Sequence, residues 1–134
     1  MERELDRIVY VDDDPDILTL IQAVFDMTGR YHLCAFSNGH DALKQLRQLN
    51  PQMILLDVMM PKMDGITLCE KIRAMSGFEE IPILFVTANI PVQGDAYRKT
   101  GANGVISKPF SPASLPATIE KFWQSWDVNH GATA

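Results

Sequence analysis

Residues 53–65 read MILLDVMMPKMDG, a run of four apolar residues followed by an aspartate, a loop and a glycine. An almost uninterrupted apolar run such as Met53–Asp57 is typical of a strand that is buried on both faces of a parallel sheet. Pro61 and Gly65 indicate a loop between this strand and the next helix. The segment therefore predicts a buried parallel strand with the carboxylate of Asp57 at its carboxyl end.

Apolar runs and amphipathic stretches alternate on both sides of this segment. The other runs that we predict to be strands are Arg7–Val11, Tyr31–Phe36, Pro82–Thr87 and Gly104–Ser107. The stretches whose apolar residues recur at helical spacing are Pro15–Thr28, Asp41–Leu49, Gly65–Met75, Pro91–Thr100 and Ser111–Trp126. Strands that alternate with helices predict an α/β domain of (βα)5 type, in which helices cover both faces of a five-stranded parallel sheet.

Two of the predicted helices contain residues that weaken them. Gly94 lies inside Pro91–Thr100, and few apolar residues define a buried face there. Ser111 and Pro112 form a favourable start signal for the last helix, but Pro116 stands where an interior N–H is expected. We therefore expect a weak fourth helix, and a last helix whose first turn is irregular or that begins near Pro116.

Composition limits the size and the partners of the chain. Its 134 residues are 46% hydrophobic and carry a formal net charge of −5, which fits one domain with a single core. The acidity and the lack of a basic stripe argue against binding to nucleic acid or to an anionic membrane. No apolar run approaches the roughly 20 residues that cross a bilayer, and no signal-type core follows the charged N-terminus. We therefore expect a cytoplasmic protein.

Neither the last eight residues nor the two cysteines carry a functional motif. Residues 127–134 are small or polar, so we expect a domain over residues 1–126 and then a tail that is disordered or that begins a linker. Cys34 and Cys69 lie far apart in sequence, and neither has CxxC or metal-ligand spacing. We expect two free thiols in a reducing compartment.

The reactive side chains concentrate at the carboxyl ends of the predicted strands. Asp12 and Asp13 follow the first strand, Asp57 and Thr87 end the third and fourth, and Lys108 follows the fifth. Ligands bind outside this edge in open α/β sheets. Crowded carboxylates repel one another, and a hard cation such as Mg²⁺ relieves that repulsion while accepting phosphate oxygens. A carboxylate there can attack a phosphoryl group, whose charge Lys108 would neutralise.

Four segments carry a resemblance to a known family. They read VDDDPDI (residues 11–17), LLDVMMPKMDG (55–65), VTA (86–88) and SKPF (107–110). In this order and at these spacings they resemble the receiver domains of two-component response regulators, and the resemblance extends from Arg7 to Trp126. It implies a flavodoxin-like fold with strand order 2-1-3-4-5, and a function as the phosphoacceptor of a two-component system or a phosphorelay.

The resemblance assigns the phosphoryl chemistry to three residues. Asp57 matches the phosphoacceptor, which takes the group from the phosphohistidine of a histidine kinase or of a histidine phosphotransfer protein. Thr87 matches the hydroxyl that follows the phosphoryl group on activation. Lys108 matches the essential lysine, whose bond to Pro109 is expected to be cis. Such a domain catalyses its own phosphoryl transfer and then changes its partner interactions, so it is not a turnover enzyme.

The resemblance also implies the ligands of a Mg²⁺ ion. Asp13 and Asp57 match direct ligands, whereas Asp12 would act largely through water. The backbone carbonyl of Met59 matches the remaining protein ligand. Asp14 matches the acidic position after the pair, although an aspartate before a helix is also typical of an N-terminal cap.

Two positions depart from the family pattern. Val105 stands three residues before the lysine, where relatives have an aromatic residue that rotates when the threonine moves. A valine cannot report phosphorylation in that way, so we expect altered coupling to the output surface. Met59 and Asn89 flank the path of the hydrolytic water in the family. An apolar Met59 cannot orient water by hydrogen bonding, so we predict slow self-dephosphorylation.

Three other functions compete with this interpretation. A degenerate receiver that only binds partners is left open by Val105, whereas the intact acidic pair, Asp57, Thr87 and Lys108 argue against it. An aspartyl-nucleophile phosphatase of the haloacid-dehalogenase type needs an aspartate two residues after the nucleophile, where Met59 stands. A dinucleotide-binding Rossmann domain needs a glycine-rich turn after the first strand, where the sequence reads DDDPD. We consider the last two unlikely.

Overall fold

The computed structural model describes residues 4–88 and 96–130. Five strands are present: β1 Arg7–Val11, β2 His32–Phe36, β3 Met53–Asp57, β4 Ile83–Thr87 and β5 Gly104–Ser107. Four α-helices are present in the described residues: α1 Pro15–Thr28, α2 Gly39–Leu49, α3 Gly65–Arg73 and α4 Leu115–His130. Two short 3₁₀ helices cover Ala96–Thr100 and Pro112–Ser114.

The five strands form one parallel sheet in the order β2-β1-β3-β4-β5, as predicted. The chain returns over the sheet between successive strands, so every strand ends at the same edge. β3 and β4 are buried along their whole length, which explains their continuous apolar runs. The sheet order brings the ends of β1, β3, β4 and β5 together.

Each face of the sheet packs into its own apolar core. On one face, alternate strand residues such as Leu56 and Phe85 pack with Leu46 of α2 and Leu68 of α3. On the other face, the intervening residues pack with α1 and α4; these include Leu55, Val86, Phe25 and Trp123. The two cores hold the strand ends in place, and that rigidity positions the loops that follow them.

Local chemistry accounts for most of the helix ends. α1 begins and ends as predicted, because Asp14 accepts a hydrogen bond from the N–H of Asp16 and Gly29 takes a left-handed φ of 67°. α2 begins at Gly39, two residues before the predicted start, because Asn38 caps it through the N–H of Asp41. The other predicted helix and strand bounds agree to within two residues, except at the fourth helix and the end of α4.

The predicted fourth helix is wrong in the part that the structure describes. Ala96–Thr100 forms a 3₁₀ helix, and the remainder of the predicted element, residues 91–95, lies outside the described residues. The segment offers few apolar side chains to the core, and Gly101 then turns the chain with a φ of 104°. Most helices in proteins are stabilised by packing of an apolar face rather than by the helix propensity of their residues. The sequence of this segment contains few apolar residues that could form such a face.

The last helix differs from its prediction at its far end. Its start has the expected irregular first turn, because a 3₁₀ helix over Pro112–Ser114 precedes α4. α4 continues to His130, so the expected disorder after Trp126 is wrong for residues 127–130. Asp127 is 2% exposed, and the first glycine that could end the helix is Gly131. Residues 131–134 lie outside the described residues.

The structure also bears on the two cysteines and on whether a helix could span a membrane. Cys34 is partly buried and Cys69 is buried, and both are free thiols. None of the helices in the described part of the chain combines the length and apolar character that crossing a membrane requires.

The amino ends of the strands are held by a partly buried guanidinium group. Arg73, the last residue of α3, donates five hydrogen bonds: two to the carbonyl of Gly101 and one each to the carbonyls of Phe78 and Ile81 and to Oδ1 of Asn103. The donor–acceptor distances are 2.7–3.0 Å. This single side chain therefore joins the loop before β4 to the loop before β5.

Candidate functional site

The strand ends bring together the acidic residues that the sequence singled out. Asp12, Asp13 and Asp57 each offer a carboxylate oxygen, and these atoms lie within 4.8 Å of one another. Asp12 is fully buried and Asp57 is 6% exposed, whereas Asp13 is exposed. Carboxylates so close together repel unless a cation or a proton compensates their charge.

Lys108 supplies a positive charge between two of these carboxylates. Its Nζ lies 2.9 Å from Oδ2 of Asp12 and 3.6 Å from Oδ2 of Asp57. The Lys108–Pro109 bond is cis, as predicted. The backbone N–H of Lys108 also donates to the carbonyl of Thr87 at 2.8 Å, which fixes the start of this loop against the end of β4. Lys108 is thus fixed through its side-chain Nζ and through its backbone N–H.

Thr87 occupies the last position of β4 and is 1% exposed. Asp57 pairs in register with Val86, so Thr87 lies one residue further along the neighbouring strand. It therefore stands at the carboxyl edge of the sheet, where the acidic group also lies. Four strand ends therefore contribute to one site, in agreement with the interpretation of the sequence.

The loop after Asp57 depends on a close approach of two backbone segments. The N–H of Gly65 donates to the carbonyl of Val58 at 2.9 Å. A Cβ atom on Gly65 would collide with the carbonyl oxygen of Asp57, so only glycine fits there without a shift of the backbone. The N–H of Met59 also donates to Oδ1 of Asp57 at 3.3 Å, and this hydrogen bond orients the carboxylate of Asp57.

The environment of Asp57 favours its protonated form. Burial and the negative charge of Asp12 raise the pKa of Asp57 to about 6, although Lys108 and the N–H of Met59 oppose the rise. For Lys108, burial alone would lower the pKa, but the hydrogen bond and charge of Asp12 and the charge of Asp57 raise it overall. Lys108 is therefore a permanent cation, and the acidic group still holds excess negative charge.

One site residue was missed by the sequence reasoning. Tyr10 is fully buried, and its hydroxyl donates to Oδ2 of Asp12 at 3.3 Å. Burial, with the charge of Asp12, raises the pKa of Tyr10, so its hydroxyl stays a donor. The sequence held a signal for it, because residues two apart on a strand point to the same face and Tyr10 is the only aromatic residue of β1.

The remaining candidate residues have distinct positions. Asp14 caps α1, and its own N–H donates to Oδ1 of Asp12 at 3.0 Å, so it orients the site from outside. Met59 is 63% exposed. Val105 is partly buried and packs against the core between the sheet and α3. Asn89 lies outside the described residues.

The donor set fits a hard divalent cation. Three carboxylates with mixed exposure provide oxygen ligands and an open side for water or phosphate oxygens, which is the arrangement that Mg²⁺ favours. The raised pKa of Asp57 is a second indication, because a cation would relieve the repulsion that causes part of the rise.

Comparison with known proteins places this site in a family. Residues 8–120 match the sequence model of the response regulator receiver domain. The chain belongs to this family. It is a receiver domain of the kind found in two-component response regulators. The strand order, the acidic group and the position of Lys108 described above are the structural counterpart of that match.

Three relatives illustrate the similarity. The probable transcriptional regulator ycf27 of Pyropia yezoensis is 36% identical over 120 residues, which cover 89% of this chain and 48% of that protein. The chemotaxis protein CheY4 of Vibrio cholerae superposes with a TM-score of 0.80 at 26% identity, covering 88% of this chain and 98% of that one. The BeF3-activated N-terminal receiver domain of Klebsiella pneumoniae RstA has a TM-score of 0.72 at 30% identity, covering 87% and 97%.

The relatives differ in length. This chain spans about half the length of the first curated relatives that it matches, whereas it covers nearly all of the solved receiver domains. The similarity therefore concerns the receiver domain, and the activities of the longer relatives belong to those proteins.

Proposed function

We propose that the chain is a phosphorylation switch in which Asp57 accepts a phosphoryl group from a phosphohistidine. The donor would be a histidine kinase or a histidine phosphotransfer protein, which implies a cytoplasmic location. The observation that carries the proposal is the position of Lys108, whose Nζ is 2.9 Å from Asp12 and 3.6 Å from Asp57. A cation fixed beside a buried nucleophile stabilises the charge that a transferred phosphoryl group brings.

Asp12, Asp13, Asp57 and the backbone carbonyl of Met59 would hold Mg²⁺ in this proposal. When bound, the ion neutralises phosphate oxygens and lowers the repulsion between the carboxylates. The protein's own contribution is positional. Tyr10 and the N–H of Asp14 orient Asp12, and the N–H of Met59 orients Asp57. Asp57 then meets the phosphorus as an ionised nucleophile.

Thr87 and Lys108 would respond to the phosphoryl group. Thr87 offers a hydroxyl at the end of the strand that neighbours Asp57, and Lys108 offers a cation that already spans the site. Movement of these two side chains would change the loops after β4 and β5 and thereby the partner interactions. Val105 has no ring to rotate, so this output would not use an aromatic switch at that position.

Two alternatives are separated by the site itself. A degenerate receiver would not need the pair of a fully buried Asp12 and a partly buried Lys108, because burying these charges is costly. An aspartyl-nucleophile phosphatase would need a carboxylate at position 59, where an exposed methionine stands. The domain is proposed to catalyse only its own phosphoryl transfer and slow hydrolysis.

The proposal is tested by intact-mass measurement after incubation with acetyl phosphate and Mg²⁺. We expect one phosphoryl adduct, which is lost when Asp57 is replaced by asparagine or when EDTA removes the metal. Asp64→Asn is the matched control, because Asp64 is a nearby carboxylate that caps α3 through the N–H of Thr67 at 2.7 Å. Asparagine caps a helix equally well, so this variant should keep the adduct.

A folded wild-type protein that forms no adduct with acetyl phosphate or with a phosphohistidine donor would contradict the proposal and support the degenerate receiver. An adduct that persists in Asp57→Asn would place the acceptor elsewhere. The lifetime of the adduct is a separate test, because a half-life of seconds would contradict the predicted slow self-dephosphorylation.

A further inference from the structure

Met59 is an exposed methionine in contact with the candidate acceptor through its backbone. Met59 is 63% exposed to solvent, and its backbone nitrogen lies 3.3 Å from Oδ1 of Asp57. The side chain begins two covalent bonds from this nitrogen, and its sulfur lies four bonds from it. Solvent reaches this side chain although it borders a nearly buried site.

The other methionines of the described residues lack this combination. Met53 is fully buried and Met63 is 6% exposed. Met60 and Met75 are partly buried against a core. Met27 is 86% exposed, but it lies twelve residues along α1 from Pro15, or about 18 Å at the rise of an α-helix. Among the methionines that the structure describes, two thus expose their thioethers to a dissolved oxidant, and one of them adjoins the site.

We propose that Met59 is a redox modification site, at which a peroxide forms methionine sulfoxide and thereby shortens the lifetime of the phosphoryl group on Asp57. The effect on lifetime rests on the proposed function of Asp57. The modification itself does not, because it depends only on the exposure of the thioether.

The reaction needs hydrogen peroxide or another two-electron peroxide as oxidant. A lone pair on Sδ of Met59 attacks one peroxide oxygen, the O–O bond breaks and an S–O bond forms. The sulfur loses two electrons, and hydrogen peroxide is reduced to water. Methionine sulfoxide reductases reverse the product, so the change can act as a switch.

The physical reason for a shorter lifetime is the polarity of the product. The thioether of Met59 cannot orient a water molecule, whereas a sulfoxide oxygen is a strong hydrogen-bond acceptor at the same place. A water held by that oxygen would be positioned to attack the phosphorus. One added hydrogen bond in the transition state corresponds to a rate increase of about two- to tenfold.

The experiment compares protein before and after limited treatment with hydrogen peroxide. Peptide mass spectrometry measures the oxidised fraction of each methionine. The protein is then phosphorylated with acetyl phosphate and Mg²⁺, the donor is removed, and intact mass follows the loss of the adduct. Dithiothreitol is added before phosphorylation, because it reverses disulfide and sulfenic acid formation at Cys34 but leaves sulfoxides intact.

Two variants separate the site from the treatment. Met27→Leu removes the other thioether that is exposed in the described part of the chain, and the oxidised variant should still lose its adduct two- to tenfold faster than the untreated variant. Met59→Leu removes the proposed site, so its lifetime, whatever its untreated value, should not change with peroxide. Treatment of the oxidised wild type with methionine sulfoxide reductases should restore the original lifetime.

The possible results are distinct. Faster loss of the adduct that follows the oxidised fraction of Met59 and is absent in Met59→Leu supports the inference. An unchanged lifetime with fully oxidised Met59, or oxidation of Met27 without oxidation of Met59, overturns the inference but leaves the proposed function standing. Failure of the untreated protein to form an adduct with acetyl phosphate and also with a phosphohistidine donor overturns both.

Discussion

The two ends of the same sheet hold their charges in opposite ways. At the carboxyl ends, Asp12 and Asp57 are buried with Lys108 as their shared cation. At the amino ends, Arg73 is surrounded by neutral oxygen acceptors, mainly backbone carbonyls. Burial lowers the pKa of Arg73, but an arginine remains charged in any case. The first arrangement leaves negative charge uncompensated, and the second gives a partly buried cation five hydrogen-bond acceptors.

The difference indicates which end serves function and which serves stability. A cavity of about 730 Å³ lies at the amino ends, where it is lined by charges of both signs, including Arg7, Arg47, Glu79 and Glu80. The cavity is large, but its charged side chains are already engaged: Arg7, Arg47 and Glu79 form hydrogen bonds with backbone atoms. The size of the cavity therefore does not identify it as the reactive site. The clustered carboxylates lie at the other end, where their mutual repulsion would favour a bound cation in the proposed function.

The largest expected effect is at the stabilising end. Replacement of Arg73 by methionine keeps the aliphatic stem but leaves the carbonyls of Phe78, Ile81 and Gly101 without their donor. Partly buried acceptors that lose a charged donor are costly, so we expect the free energy of unfolding to fall by roughly 2–4 kcal/mol. Urea denaturation measures this change. A loss below about 0.5 kcal/mol would mean that water replaces the guanidinium group.

The next effect has the opposite sign and lies at the reactive end. Because the folded pKa of Asp57 is raised to about 6, its ionisation destabilises the native state as the pH rises from the unfolded value of about 4 through 6. Asp57→Asn should therefore increase the free energy of unfolding by roughly 1–3 kcal/mol at pH 7.5 in EDTA. The gain should shrink towards pH 4. Denaturation of both proteins at the two pH values tests this, and an equal or larger gain at pH 4 would contradict it.

Magnesium should stabilise the protein through the reactive end alone. At ten times its dissociation constant, Mg²⁺ should raise the free energy of unfolding of the wild type by about 1.4 kcal/mol. Arg73→Met should gain the same increment, since its change lies at the other end of the sheet. Asp57→Asn should gain clearly less at the same Mg²⁺ concentration. Equal increments in all three proteins would show that the ion acts elsewhere.

The smallest effect concerns backbone strain in the loop beside Asp57. Lys62 is exposed and has a φ of 70°, a left-handed conformation that costs a non-glycine residue about 1 kcal/mol. Lys62→Gly should stabilise the protein by about 0.5 kcal/mol, because the greater freedom of glycine in the unfolded chain offsets part of the gain. Lys62→Ala is the matched control. It removes the same charge but keeps the strain, so an equal gain in both variants would assign the effect to charge.

Much of the fold could be predicted because its signals are local. Apolar runs gave β1, β3 and β5 to the residue, and capping residues gave both ends of α1. The fourth helix was predicted wrongly in its described part, because helical spacing alone does not supply an apolar face that the core can accept. α4 was predicted four residues short, because a polar sequence does not reveal that Asp127 is buried.

By itself, the sequence determined the order of the elements and the motifs that follow β1, β3, β4 and β5. Their parallel arrangement implied one site, since all strands end at the same edge. Only the tertiary structure decided the contacts within that site. Lys108 meets Asp12 across 96 residues of sequence, and the same Nζ lies 3.6 Å from Oδ2 of Asp57. Such contacts depend on side-chain distances and burial between segments far apart in the chain, and no local pattern encodes them.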